Sequence, residues 1–166
     1  MNYKSQVKLL GLPLVHFTTG IIEGGVYKRG IAKGWIAIGD IAYGVIFSCG
    51  GVAIGGIALG GASIGILSIG GLAFGAFALG GMAVGVVAAG GAAIALHAAF
   101  GGLAIALKYA VGGAAFGQEA NTVLAKNIID NSSFFRTANI VAKYSRWGLL
   151  FLIIPILLNF KKSKRQ

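Results

Sequence analysis

Gly50-Gly51-Val52-Ala53-Ile54-Gly55-Gly56-Ile57-Ala58-Leu59-Gly60-Gly61-Ala62-Ser63-Ile64-Gly65 is the stretch on which the reading of this chain turns. Glycine returns at every fifth residue, and it continues without a miss through Gly70, Gly75, Gly80, Gly85 and Gly90. A second small residue keeps the same step, at Ala53, Ala58, Ser63, Ser68, Ala73, Ala78, Ala83, Ala88 and Ala93. The unit is therefore Gly-x-apolar-[Ala/Ser]-apolar. It extends back to Gly34-Trp35-Ile36-Ala37-Ile38 and Gly39-Asp40-Ile41-Ala42-Tyr43, and forward to Gly101-Gly102-Leu103-Ala104-Ile105 and Gly112-Gly113-Ala114-Ala115-Phe116. Residues 34–116 hold 16 pentads once single extra residues near Cys49, Phe100 and Val111 are allowed for. Gly-Gly pairs at 50/51, 60/61, 70/71, 80/81 and 90/91 add a weaker overlay at tens. Internal repetition of this regularity marks a solenoid.

A bundle of three or four glycine-zipper helices is the alternative, since a hydropathy window reads this block as membrane helices. Periodicity argues against it. At about 100° per residue, a five-residue step turns successive glycines by about 140°, so they cannot line one face of a helix. Each glycine also costs a helix about 1 kcal/mol relative to alanine. After Asp40 no Pro, Asn or Asp breaks the block into the loops that helical hairpins need. In a β-helix the glycines become useful, because its corners call for positive φ or tight bends. Five residues then make one face.

The pattern resembles the pentapeptide-repeat family, whose quadrilateral β-helix sets a small residue two positions before a central large one. The matching pairs are Gly55 before Ile57, Gly65 before Leu67, Gly70 before Leu72, Gly75 before Phe77 and Gly80 before Met82. The resemblance implies four pentads per coil, about four coils, and a column roughly 19 Å tall at the ~4.8 Å spacing of strands. It places the large central residues inside. Ile54, Leu59, Ile64, Ile69, Phe74, Leu79 and Val84 then point outward where the family has polar residues, a departure that suits a lipid exterior. The opposite assignment stays open. The opening Gly11-Leu12-Pro13-Leu14-Val15-His16, with Arg29-Gly30-Ile31-Ala32 and the two pentads after it, is similar to a group of uncharacterised bacterial glycine-rich membrane proteins over about residues 11–100. That likeness implies a bacterial membrane β-helix and no activity.

Charge supports the membrane. The 166 residues are 57% apolar and 11% charged, with a net charge of +10, against roughly 25% charged residues in soluble domains. An ordinary soluble enzyme is excluded, and one cysteine excludes a disulfide scaffold or a zinc cluster. Between Asp40 and Lys108 lie 67 residues without a charge, several times the ~20 of one spanning helix. The basic residues flank this block and form no aromatic-interleaved patch, so the expected partner is anionic lipid and not nucleic acid. Lys28, Arg29 and Lys33 on one side and Lys161, Lys162, Lys164 and Arg165 on the other are the expected headgroup contacts, with Asp40 and Lys108 as charges at the two column ends. The short apolar run Leu9 to Val15 is interrupted by Pro13 and reads as retained, not as a cleaved signal.

Four segments follow: a basic cap over 1–33, a pentad-repeat transmembrane β-helix over 34–117, polar and amphipathic helices over 118–146, and an apolar membrane helix with a basic tail over 147–166. Glu119 to Ile129 reads as a short helix, and Asn131-Ser132-Ser133 as the cap of a second from Phe134 to Arg146. Trp147 to Phe160 spans about 21 Å as a helix, which matches a 19 Å column and implies local thinning of the bilayer. One crossing by the column and one by this helix would leave both termini in the cytoplasm of a bacterium.

Chemistry is nearly absent. His97 is the one ionisable residue inside the apolar band, read as buried and neutral or, functionally, as an intramembrane polar site. His16 reads as a loop residue near the headgroups. No catalytic motif, cofactor motif or metal-ligand spacing is present. The expected protein is a non-enzymatic, self-associating membrane scaffold that thins the bilayer, with an oligomeric pore or permeability factor as the second reading and the helical bundle as the third.

Overall fold

The computed structural model describes residues 2–23, 26–141 and 143. It divides into two units, Met1–Lys126 and Asn127–Gln166. The first is almost wholly β. Short strands β1 (Asn2–Lys4), β2 (Lys8–Leu9), β3 (Leu12–Pro13), β4 (Val15–Thr18), β5 (Ile21–Glu23) and β6 (Val26–Lys28) precede β7 (Ile31–Ala106), which runs for 76 residues without a break. β8 (Tyr109–Phe116) and β9 (Glu119–Ala120) follow it.

Strand β7 is stacked upon itself in parallel, and the interval is two pentads. The carbonyl of Gly60 faces the α-carbon of Gly70, that of Gly70 faces Gly80, and that of Gly80 faces Gly90. The column continues down through Gly50 and Gly39 to Thr18 and up through Gly101 to Gly112. A matching column on the other edge joins Gly44, Gly55, Gly65, Gly75 and Gly85. The ladder continues at the same interval, with Ala98 paired to Tyr109 and Tyr109 to Glu119. Layers holding the extra residues near Cys49, Phe100 and Val111 have eleven residues, as the steps 39 to 50, 90 to 101 and 101 to 112 require. The four-sided arrangement of about four coils is therefore corrected: ten residues, not twenty, separate stacked positions.

The interior explains the change. Ala53, Ala58, Ala73, Ala78, Ala83, Ala88 and Ala93 are fully buried, with Ser48, Ser63 and Ser68 among them. Neither set of bulky residues joins them. Ile57, Leu72, Phe77 and Met82, expected inside, are exposed, and so are Ile64 and Phe74 from the other set. Methyl and hydroxymethyl groups cannot fill a square interior without voids, which packed proteins do not tolerate.

The role of glycine also differs from expectation. Among the described residues only Gly11 of the glycines has positive φ, at 80°, in the two-residue turn with Leu10 (φ 54°) that joins β2 to β3. In the repeat, glycine is needed for space: a Cβ on Gly70 or Gly80 would fall well inside 3.0 Å of the carbonyl oxygen one layer below.

The first layer is interrupted. β4 lies parallel beneath β7, with Val15 to Thr18 under Ile36 to Gly39, and β1 pairs antiparallel with β4. Between Gly20 and Gly30 the chain leaves the stack as the antiparallel hairpin β5–β6. It rejoins where Gly30 O accepts the Ile41 N–H at 3.0 Å.

Helix α1 (Val123–Asn131) starts later than the expected Glu119, because Glu119 and Ala120 are strand residues paired with β8. Thr122 caps it, its Oγ1 accepting the Ala125 N–H at 3.2 Å. A second helical stretch covers 133–141, with Phe135 and Ala138 buried. No helix among the described residues is long and apolar enough to cross a membrane. The apolar run Trp147 to Phe160 and the basic Lys161, Lys162, Lys164 and Arg165 lie outside the described residues.

Candidate functional site

Two features of the stack can act on other molecules: its apolar flanks and the polar clasps at its ends. The flanks follow from the pentad. With the fourth position turned inward as Ala or Ser, the apolar residues on either side of it turn outward, since side chains alternate along a strand. Ile66 is 68% exposed, Leu96 63% and Ile64 50%. Surfaces of this kind are contiguous from layer to layer, and on a soluble monomer they would mark an interaction site.

At the N-terminal end, Asp40 closes the neck of the β5–β6 hairpin. Its Oδ2 accepts the N–H groups of Gly20 and Gly30, both at 3.0 Å, and the Tyr27 hydroxyl at 2.6 Å. These amides sit where the chain leaves and re-enters the stack, so no strand residue is positioned to take them. The Tyr27 hydroxyl and the Gly30 amide hold the Asp40 carboxyl below its ordinary value against an opposing contribution from desolvation; the Gly20 amide and Arg29 add to the lowering. The same hydrogen bond to Asp40 raises the Tyr27 hydroxyl above its ordinary value. Asp40 is thus a structural clasp as well as a charge at this end of the apolar band.

The C-terminal end carries a matching device that the repeat pattern does not announce. Asn121 Oδ1 accepts the Gly112 N–H at 3.0 Å, and its Nδ2 donates to Gly112 O at 2.9 Å. One side-chain amide thereby replaces the peptide of a further strand above the last glycine of the column. Its backbone has φ 56°, a region that asparagine enters more readily than most residues.

The other singled-out residues scatter. His97 is exposed, not buried, and its ring meets that of Tyr109 edge-on with centroids 5.5 Å apart. It keeps the pentad register of Ile57 and Phe77, each one residue before a buried alanine, and that position faces outward, which corrects the expectation that His97 is buried. His16 is buried in β4, not in a loop, and its Nδ1 accepts the Lys33 N–H at 2.8 Å. Lys28, Arg29 and Lys33 are exposed near the first layer, and Lys108 is exposed beside the last. Lys33 Nζ stands 5.7 Å from the centroid of the Tyr43 ring. The buried serines are satisfied within the stack: Ser63 and Ser68 share a 2.6 Å hydrogen bond, and Ser48 donates to Ile57 O. Among the described residues no three His, Cys, Asp or Glu side chains converge as metal ligands. Comparison with protein-family models, with curated proteins and with solved structures finds no match.

Proposed function

We propose that the chain is an integral membrane structural protein, a two-sided β-helix standing along the bilayer normal with its bulky residues in lipid. One observation carries this reading. The charge-free band of 67 residues between Asp40 and Lys108, stacked at ten or eleven residues per layer, makes between six and seven layers. At about 4.8 Å per layer that band is about 31 Å tall, the thickness of a hydrocarbon core of about 30 Å. The thinning inferred from a 19 Å column loses its basis.

Backbone satisfaction supports the same reading. Lipid admits a spanning chain only where its N–H and C=O groups are paired internally. Strand pairing is continuous through every corner from Ile31 to Ala106, and Asp40 and Asn121 serve the two ends. Lys33 and Lys108 then meet headgroups on opposite faces, where anionic lipid favours them. An interior of alanine methyls and serine hydroxymethyls, with the serines hydrogen-bonded within the stack, argues against a single column as a conduit. The role is that of a scaffold whose flat apolar sides pack against lipid or further copies.

Polarised infrared spectroscopy of the protein in oriented bilayers tests this. Carbonyls of a β-helix point along its axis, so the amide-I band of β-structure should absorb most strongly with the field along the normal. A chain that alkaline carbonate strips from vesicles, or an amide-I band polarised in the membrane plane, would refute the proposal.

A further inference from the structure

A groove of about 670 Å³ opens on the side of the stack near its N-terminal end. Gly34, Gly44 and Gly55 leave the space, and Leu12, Ile31, Val45 and Ile54 bound it with hydrocarbon. These residues come from successive layers, as the Gly30 to Ile41 hydrogen bond and the stacking of Gly55 on Gly44 fix. The groove therefore runs along the axis of the stack, which is the direction of acyl chains if the column stands upright. Its charged member is Lys33, carried beside Tyr43 at the edge of the band. Lys33 is the last basic residue before the charge-free stretch, so it lies at headgroup depth while Val45 and Ile54 lie deeper.

We propose that this groove binds one anionic phospholipid of the surrounding bilayer, with an acyl chain against Ile31, Val45 and Ile54 and the headgroup phosphate on Lys33 Nζ. Charge complementarity selects the occupant. An ammonium group at the mouth of an otherwise apolar slot matches a phosphate attached to a hydrocarbon chain, and a lipid with net negative charge has no choline to hold the ammonium away. The molecule contains its own control. A second groove of about 630 Å³, bounded by Ala76, Val86, Ile94, Leu96 and Leu107, has no charged residue in its lining. It can take hydrocarbon but has nothing to choose between headgroups.

The inference rests on the membrane reading, and its test separates the two. The full chain is reconstituted into nanodiscs of equal phosphatidylglycerol and phosphatidylcholine, and retained lipids are counted by native mass spectrometry after release. One phosphatidylglycerol should remain per chain, favoured over phosphatidylcholine by about fivefold, the factor expected for one lysine at a membrane surface. Lys33→Gln and Val45→Trp should each abolish that preference, whereas Lys33→Arg, Arg29→Gln and Val86→Trp should leave it. Equal retention of both lipids, an unchanged preference in Lys33→Gln, or retention of added oleate in place of phospholipid would overturn the site while leaving the membrane reading intact. A chain that never enters the nanodisc refutes both.

Discussion

Two adjacent glycines in each layer do different work, and the difference is measurable. A Cβ on Gly80 would meet the Gly70 carbonyl oxygen well inside 3.0 Å, with the Ala73 Cβ at 3.4 Å and no flexible neighbour to yield. A Cβ on Gly81 would lie 3.0 Å from Gly71 O with its next neighbour at 3.9 Å. Gly56 meets Ile46 O at the same 3.0 Å, yet the next layers carry Ile66 and Val86 at that corner. Gly80→Ala should therefore cost about 3 kcal/mol, the upper end of overpacking, and Gly81→Ala under about 1 kcal/mol, read from unfolding midpoints in detergent. Asp40 gives a pH dependence of stated sign. Its carboxyl is held below the ordinary 3.8, chiefly by Tyr27 and Gly30, so the folded state favours the charged form. The clasp's contribution is complete above pH 3.8 and is lost as pH falls through the lowered value. The downfield amide proton of Gly30 should hold its shift to below pH 3.8 and then collapse, and in Asp40→Asn it should not titrate.

At the scale of elements, the two ends of the stack decide whether one column stays one column. An open parallel edge invites pairing with another chain, and Asn121 covers the edge at Gly112 with a side chain that imitates a peptide. Asn121→Ala removes both hydrogen bonds, so it should lower stability by about 1 to 2 kcal/mol and shift the detergent-solubilised protein toward end-to-end oligomers in analytical ultracentrifugation. Most of the β architecture was legible in the pentad, because a step of five denies glycine a helical face. The coil length was legible too, in the Gly-Gly pairs at tens, but resemblance to a four-sided family outweighed it. What decides against four walls is volume: with only Ala53, Ala58, Ser63 and their equivalents turned inward, nothing remains to fill a square. The clasps were not legible, since Asp40 and Asn121 act on amides 10 and 20 residues away in one case and 9 in the other, distances that only the layer interval explains. The burial expected of His97 followed from placing the central pentad position inside; His97 keeps that register, one residue before buried Ala98, and the position faces outward.

For the whole molecule, height is the quantity on which the proposed membrane role depends. A soluble solenoid can be lengthened or shortened freely, as each layer meets only its neighbours, whereas a spanning column is fixed by the slab it crosses. Removing residues 61–80 joins Gly60 to Gly81, keeps a Gly-Gly pair at the junction, and takes out two complete layers with their alanine and serine interior. The charge-free band falls by about 10 Å at 4.8 Å per layer, and no register elsewhere changes. The shortened chain should retain its β-type amide-I band, because every remaining layer keeps the neighbours it needs. Its partition between vesicles of short and long acyl chains should reverse, from a preference near a 30 Å core to a preference for thinner bilayers, at a modest cost per ångström of mismatch. Removing only 71–75 makes a sharper comparison. Half a layer turns everything above it by half a circuit, yet the five-residue step keeps glycine over glycine, Gly80 over Gly65 and Gly85 over Gly70, so this smaller deletion should leave the stack folded and shift the partition about a quarter as far. Equal partition of the full and shortened chains would mean that lipid does not set the height of the column, and the bulky flanks would then have to be covered by other copies.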